Sequence, residues 1–372
     1  YAMEPYFVVS DCLEALQNLA VQYRKTLSIP VLGLTGSNGK TTTKELLGLI
    51  FQQKYRVAMT KGNFNNHIGV PLTILDIPKD ATFAIIEMGA NHQREIALLA
   101  EIAQPTFGLI TNIGSAHLEG FGSKEGIAIG KFELFDYLIR HQHPILYRKG
   151  AYMLDEMVGA YNQAHRIEED GFAVKGVSYR IEIKQVNPTI VFDLISEEKT
   201  TTYSSGLYGQ YNLENIVMAI FAGLFFSIEE ESLCKAVSAY VPTNNRSQLV
   251  QWRGANVYLD AYNANPDSMR LAIGSFFESS IDPRMLILGE MKELGEYSLD
   301  EHKKILEVIK QFDCDEVHLF GAEWSGMNHE DGFNHYTDIE ALKQYVSEKN
   351  WENYSILIKG SRSNQLEQLL FD

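Results

Sequence analysis

The stretch Gly36-Ser37-Asn38-Gly39-Lys40-Thr41-Thr42 constrains this chain more than any other. An apolar run, Ile29-Pro30-Val31-Leu32-Gly33-Leu34-Thr35, precedes it and reads as a buried strand. A helical pattern over 40–52 follows it. Glycines at such a turn let backbone N–H groups approach phosphate oxygens, and the helix N-terminus adds partial positive charge. Lys40 would reach the β- and γ-phosphates, and the hydroxyl of Thr41 or Thr42 suits Mg²⁺. The strict G-x-x-x-x-G-K-[ST] spacing asks for glycine at position 34, where Leu34 stands, with Gly33 and Gly36 flanking it. A glycine turn with an incidental lysine is the competing reading. The strand before and the helix after weigh against it.

The rest of the chain repeats the strand–helix alternation of a mostly parallel sheet covered by helices. Strands are expected at 55–59, 82–88, 107–112 and 144–148, and helices at 11–25, 92–103 and 124–139. Residues 177–184, 189–195 and 200–204 read as short strands with turns between them, a small antiparallel annex. Two helices, 212–226 and 229–240, close this part. Val241-Pro242-Thr243-Asn244-Asn245 is a polar, proline-containing break, and a domain boundary is placed there. Strands are then expected at 246–252, 256–260, 284–289, 315–320 and 354–358, and helices at 266–278, 298–311, 338–347 and 362–370. The predicted fold class is therefore α/β. A central phosphate-loop domain (29–240) carries the annex, and a smaller Rossmann-like domain (241–372) follows it.

Composition bounds the partners. The 372 residues carry a formal net charge of −16, which argues against duplex nucleic acid or an anionic membrane as the main partner. Hydrophobic residues make up 45%, enough to fill more than one core, so disorder of the whole chain is excluded. Cys12, Cys234 and Cys314 form no close metal-binding pattern and read as reduced, buried thiols of a cytosolic protein. The longest apolar run, Ile216 to Ile228, falls short of the roughly 20 residues a membrane span needs and reads as a buried helix. No signal peptide is visible.

Three further residues bear on chemistry. Phe83-Ala84-Ile85-Ile86-Glu87 is an apolar strand ending in a carboxylate. Ligands of doubly wound sheets bind at carboxyl ends of strands, so Glu87 is expected near the phosphate loop, able to hold Mg²⁺. His117 sits in a glycine-rich loop, 113–122, after another apolar strand. Lys131 follows among apolar neighbours on a helix, where a lysine usually snorkels. Taken singly, a solvated strand-end Glu and a bland loop His are also reasonable readings.

Together these pieces resemble the ATP-dependent Mur ligase family of cell-wall synthesis. That family shows T-G-[ST]-x-G-K-T, a Glu-ended strand, a loop His and a downstream Lys in this order. The stretches 62–73 (beginning Gly62-Asn63-Phe64-Asn65-Asn66-His67), 87–96, 116–122, 260–269 (beginning Asp260-Ala261-Tyr262-Asn263-Ala264-Asn265) and Lys359-Gly360-Ser361-Arg362 resemble its D-alanyl-D-alanine-adding branch. The resemblance covers about residues 8–370. Ala116 stands where sister ligases commonly have Asp, which helps to set this branch apart, and Tyr211, where His is frequent, is a mild departure.

The resemblance implies an amide-forming ligase that uses ATP and Mg²⁺ at two sites. Its implied partners are UDP-N-acetylmuramoyl-tripeptide and D-alanyl-D-alanine, and it implies a cytoplasmic monomer. By the same resemblance Gly36, Ser37, Asn38, Gly39, Lys40, Thr41 and Thr42 would cradle ATP. Asn212 and Asn215 would approach adenine, and Arg246 and Asp260 would reach the nucleotide from the second domain. Thr41, Glu87, His117 and Lys131 would hold metal, with Lys131 carrying a CO₂-derived carbamate. Lys40, Glu87, His117, Lys131 and Arg246 would carry the catalysis. Asn65, Asn66, Asn263, Asn265, Ser361 and Arg362 would lie near the peptide substrates. Residues 1–28 would be the exit from an N-terminal domain that grips the uridine nucleotide. Two rivals stay open: a folylpolyglutamate synthase-like ligase of the same fold, and a nucleotide-switch binding protein without turnover.

Overall fold

The structure is a computed structural model that describes residues 8–186, 188–325, 327 and 333–370. The first seven residues of the expected N-terminal segment therefore lie outside the described residues. The segment that follows them folds as a helix, Cys12–Thr26, started by the Asp11 side chain accepting from the Glu14 N–H. The thiols are free but not buried as expected: Cys12 is exposed at the start of this helix, and Cys234 and Cys314 are half-buried.

The first sheet has ten strands: β1 (Val31–Thr35), β2 (Val57–Met59), β3 (Phe83–Glu87), β4 (Phe107–Ile110), β5 (Ile145–Arg148), β6 (Ala164–Ile167), β7 (Gly171–Val174), β8 (Val177–Gln185), β9 (Val191–Ile195) and β10 (Thr200–Ser204). Their order is β10-β9-β8-β7-β6-β5-β4-β1-β3-β2. From β2 to β6 every pairing is parallel, and from β6 to β10 every pairing is antiparallel. The expected annex is thus no separate piece but the continuation of the main sheet, one strand after another. The link between β6 and β7 and that between β7 and β8 span only a few residues. Such links can join antiparallel neighbours, whereas a parallel crossover needs a dozen or more residues.

The central strands β1, β3 and β4 are buried along their whole length. Parallel strands covered on both faces read as unbroken apolar runs, and for that reason they stand out in the sequence. Alternate residues still serve different cores. Leu32, Leu34, Phe83, Ile85, Phe107 and Leu109 pack with Leu46 and Ile50 of the helix Lys40–Gln52 and with the helix Gln210–Phe225. Ala84, Ile86 and Ile110 pack on the opposite side with the helices Glu95–Ala103 and Lys124–Arg140. Each fully buried Leu, Ile or Phe contributes about 1.5–3 kcal/mol, so this double layer fixes the sheet firmly. The apolar run at 216–228 lies largely within the buried helix Gln210–Phe225. No helix among the described residues is long and apolar enough to cross a membrane.

The second sheet holds β11 (Gln248–Trp252), β12 (Ala255–Asp260), β13 (Arg284–Gly289), β14 (Glu316–Phe320), β15 (Phe333–Tyr336) and β16 (Ser355–Lys359), in the order β11-β12-β16-β13-β14-β15. Only the β11–β12 pairing is antiparallel. One face packs on the helices Pro266–Ser279 and Ser298–Ile309, the other on Ile339–Glu348. The helix expected at 362–370 is instead two 3₁₀ turns, Arg362–Asn364 and Leu366–Leu370. Gln365 between them has φ 49°, a left-handed value that interrupts an α-helix.

Candidate active site

Strand order reverses at β1: the chain continues to β2 and β3 on one side and to β4 and β5 on the other. Ligand crevices open at such a switch point, outside the carboxyl ends of the strands. The loop after β1 is the phosphate loop, and the loop after β4 carries Asn112 to His117. A cavity of about 1170 Å³ opens there, walled by the first unit and by Arg246, Asp260, Tyr262, Asn263, Asn265 and Lys359 of the second. Its volume exceeds the usual 300–1,000 Å³ of a single-ligand pocket, which leaves room for more than a nucleotide.

The phosphate loop is held from behind. The Ser37 N–H donates to the Asn112 carbonyl at 3.0 Å, and the Asn38 N–H to Asn112 Oδ1 at 2.9 Å. The Thr111 hydroxyl donates to the Asn38 carbonyl at 2.6 Å. Gly36 (φ 145°) and Gly39 (φ 77°) have no room for a Cβ, which would strike Thr111 at the first and the Asn215 side chain at the second. Gly39 is the N-cap of the helix Lys40–Gln52 and supplies no side-chain cap, so N–H groups of the first turn stay available to an anion. Lys40 turns back on its own loop, donating to the Gly36 and Ser37 carbonyls at 2.6 and 3.0 Å. Burial lowers its pKa to about 8, opposed by the Glu87 charge.

Glu87 ends β3 beside this loop and is almost fully buried, at 1% exposure. The Thr41 hydroxyl donates to it at 3.3 Å and Asn65 Nδ2 at 2.9 Å, while Lys44 Nζ lies 3.2 Å from Oε2. Lys44 also donates to the Gly62 carbonyl at 3.1 Å, tying Glu87 to the asparagine-rich loop. In that loop Asn66 Oδ1 accepts the Ile68 and Gly69 N–H groups and so starts the helix Gly69–Leu75. Asn65 and Asn66 both reach the cavity wall while performing these local tasks.

His117 has φ 59° and begins the short helix Leu118–Phe121. Its Nδ1 lies 2.6 Å from the Glu293 carboxylate of the second unit, outside hydrogen-bonding geometry. Contact with His117 holds the Glu293 carboxyl below its usual range, against the opposing effect of burial. Lys131 is fully buried and lies behind the wall, not in it. Its Nζ donates to the carbonyl of Ala90, a wall residue, at 3.2 Å and faces the Phe121 ring. Burial pushes its pKa well down, and the Lys40 charge adds to the effect. Thr41 and Glu87 therefore meet, whereas His117 is engaged by Glu293 and Lys131 by Ala90. Among the described residues no three His, Cys, Asp or Glu side chains cluster to hold a metal unaided. Oxygen donors from one hydroxyl and one carboxylate nevertheless suit Mg²⁺, which usually draws its remaining ligands from water and phosphate.

Asn212 and Asn215 line the cavity from the helix Gln210–Phe225 and bond to each other at 3.1 Å. From the second unit, the Arg246 guanidinium stacks 3.6 Å from the centre of the Tyr262 ring. Its Nε is buried and has no hydrogen-bond partner among the described residues. Asp260 pairs with Lys359 at 2.6 Å, and Lys359 also donates to the Asn263 carbonyl. Asn265 caps the helix Pro266–Ser279 and donates to Asn38 of the phosphate loop at 2.7 Å. Asp267 accepts the Ser115 N–H at 2.5 Å.

Ser361 and Arg362 are not brought to the cavity wall. Ser361 is buried and its hydroxyl accepts the Lys292 N–H, fastening the loop that presents Glu293. Arg362 points outward and pairs with Glu367. Sequence reasoning missed Lys44, Glu293, Asp267 and Tyr262, and it left Lys359 without a role. Lys44 alone had a local signal, since it lies one helical turn after Lys40 on the same face.

A phosphate loop facing an acidic strand end, with a second α/β unit completing the cavity, defines a nucleotide-dependent enzyme of two α/β units. The profile described as "Mur ligase middle domain" matches residues 34–223, and "Mur ligase, glutamate ligase domain" matches residues 245–362. The chain belongs to the Mur ligase family. The UDP-N-acetylmuramoyl-tripeptide–D-alanyl-D-alanine ligase of Bacillus subtilis (strain 168) is 36% identical over 375 residues, covering 98% of this chain and 80% of that protein. A crystal structure of MurF from Acinetobacter baumannii superposes with a TM-score of 0.87 at 29% identity, over 98% of this chain and 82% of that one. MurF ligase from Thermotoga maritima, solved in complex with ADP, gives 0.86 at 25% identity, over 100% and 85%.

Proposed function

We propose that this chain is an ATP-dependent ligase that joins D-alanyl-D-alanine to UDP-N-acetylmuramoyl-tripeptide in peptidoglycan precursor synthesis. One observation carries the reading: the phosphate loop of one unit and Arg246 and Asp260 of the other face a single cavity large enough for nucleotide and peptide. The named relatives supply the substrates. A folylpolyglutamate synthase-like activity lacks comparable support: such an enzyme from L. casei shares 12% identity, which speaks for fold alone.

A carboxylate resists an amine because it is anionic and has no good leaving group. Transfer of the γ-phosphoryl from ATP to the tripeptide carboxylate gives an acyl phosphate and ADP. The neutral amine of the dipeptide then attacks the acyl carbon, and phosphate leaves with its oxygen. Several anionic oxygens meet in the first step, so positioning and positive charge supply most of the rate. Lys40 is poised to leave its loop carbonyls for the phosphates, and Arg246 offers its unpartnered Nε from the opposite wall. Thr41 and Glu87 would hold Mg²⁺, which neutralises phosphate charge when bound. His117 would join as a ligand after parting from Glu293. Lys131, buried with one backbone acceptor, would enter as a carbamate. Asn212 and Asn215 would meet adenine, with Asp260 near the nucleotide. Asn65, Asn66, Asn263 and Asn265 would face the peptides. We place residues 29–240 and 241–372 as the two domains, acting as a cytoplasmic monomer.

The test is incubation with ATP, Mg²⁺, tripeptide nucleotide and D-alanyl-D-alanine. Pentapeptide nucleotide detected by mass, with ADP and phosphate in equal amounts, is expected. Nucleotide binding without peptide-dependent turnover would instead identify a switch protein.

A further inference from the structure

Five Lys and Arg side chains line the large cavity: Lys40, Lys124, Arg246, Arg270 and Lys359. Four are accounted for. Lys40 and Arg246 are taken by the nucleotide in the proposed reaction. Arg270 is held by Asp267 and lies 3.7 Å from Glu301. Lys359 is held by Asp260. Lys124 forms no salt bridge among the described residues: its ammonium lies 4.7 Å from the centre of the Tyr152 ring, and the neighbouring Glu125, which feels the Lys124 charge, accepts the Tyr152 hydroxyl instead.

Lys124 stands where the large cavity meets a side cavity of about 480 Å³, and it lines both. The other cations of the side cavity are spent: Arg148 pairs with Glu214, and Lys149 lies 2.8 Å from Glu168. Lys124 is also the first residue of the helix Lys124–Arg140, where a cation opposes the helix dipole. Its presence is therefore not explained by helix stability.

Its distance from the reaction centre selects the anion. Lys124 and Lys131 are seven residues apart on one helix, hence on nearly the same face and about 10 Å apart along the axis. An extended dipeptide spans at most about 7 Å from amine to terminal carboxylate. With its amine at an acyl carbon in front of Ala90, the wall residue that Lys131 touches from behind, its carboxylate falls within reach of a lysine side chain from position 124. We infer that Lys124 receives the C-terminal carboxylate of the incoming dipeptide and so sets the preference for a free carboxyl terminus. This inference rests on the proposed ligase reading.

The experiment compares D-alanyl-D-alanine with D-alanyl-D-alaninamide as acceptors for the wild-type protein, Lys124→Met and Lys124→Arg. A charge-assisted contact predicts that Lys124→Met raises KM for the free dipeptide roughly 30-fold and abolishes discrimination against the amide. Lys124→Arg should restore most of that discrimination, and the KM for tripeptide nucleotide should stay put in both variants. An unchanged KM for the dipeptide, equal losses with both acceptors, or a shifted KM for the tripeptide nucleotide would each overturn the inference. A wild-type protein that ligates neither acceptor would overturn the ligase reading, and this inference with it.

Discussion

Glu87 shows how much one buried carboxylate can organise. Lys44, Thr41 and Asn65 converge on it, and through them the phosphate loop, the acidic strand and the asparagine-rich loop become one rigid corner. Removing only the cation leaves an uncompensated buried charge. Lys44→Met should therefore destabilise the protein by about 3 kcal/mol, whereas Lys44→Met combined with Glu87→Gln should cost clearly less. Urea denaturation of the two variants checks this, and equal losses would refute the pairing. Lys131 makes a different case: burial lowers its pKa and so favours the neutral amine, the form that the proposed carbamate requires. Lys131→Ala should abolish ligation while circular dichroism remains native. A fully active variant, or no carbamate in crystals grown with bicarbonate, would remove Lys131 from the mechanism.

At the scale of elements, the phosphate loop works because its backbone is pinned and its glycines leave no space for side chains. Gly39→Ala would force a left-handed residue against Asn215, and nucleotide affinity should drop at least roughly tenfold at a cost of about 1–2 kcal/mol in stability. Calorimetric titration with ADP measures the first effect and thermal melting the second. Strand β14 carries a different liability. His318 is fully buried, and burial lowers its pKa to about 4. The unfolded chain, with histidine near 6.5, binds more protons than the folded one between pH 4 and 6.5, so stability falls as pH drops through that window. His318→Gln should flatten the fall by about 1–2 kcal/mol between pH 7 and 5, read from urea midpoints at the two values. Elements also differed in legibility. The buried parallel strands and long helices stood out, because burial on both faces enforces unbroken apolar runs. β6, β7 and β15 were not anticipated. Each is four residues long, and strands that short carry little pattern.

For the whole molecule, the important contacts are those between the two units. Asn265 reaches the phosphate loop, Asp267 the Ser115 N–H, and Glu293 His117. These contacts set the width of the cavity. Asp267→Ala should leave the melting temperature nearly unchanged, lower kcat, and increase the radius of gyration of the nucleotide-free protein in small-angle scattering. An unchanged kcat would show that this contact between the units has no part in the reaction. The sequence by itself determined two α/β units, a phosphate loop and an acidic strand end beside it. Each of these is written in local spacing or in a continuous apolar run. Only the tertiary structure decided that Lys44 neutralises Glu87, that Glu293 engages His117, that Ser361 and Arg362 lie off the cavity wall, and that Lys124 lines the cavity without a salt bridge among the described residues. Such pairings join residues tens to hundreds of positions apart, and their energies depend on distance and burial in three dimensions, which no local spacing records.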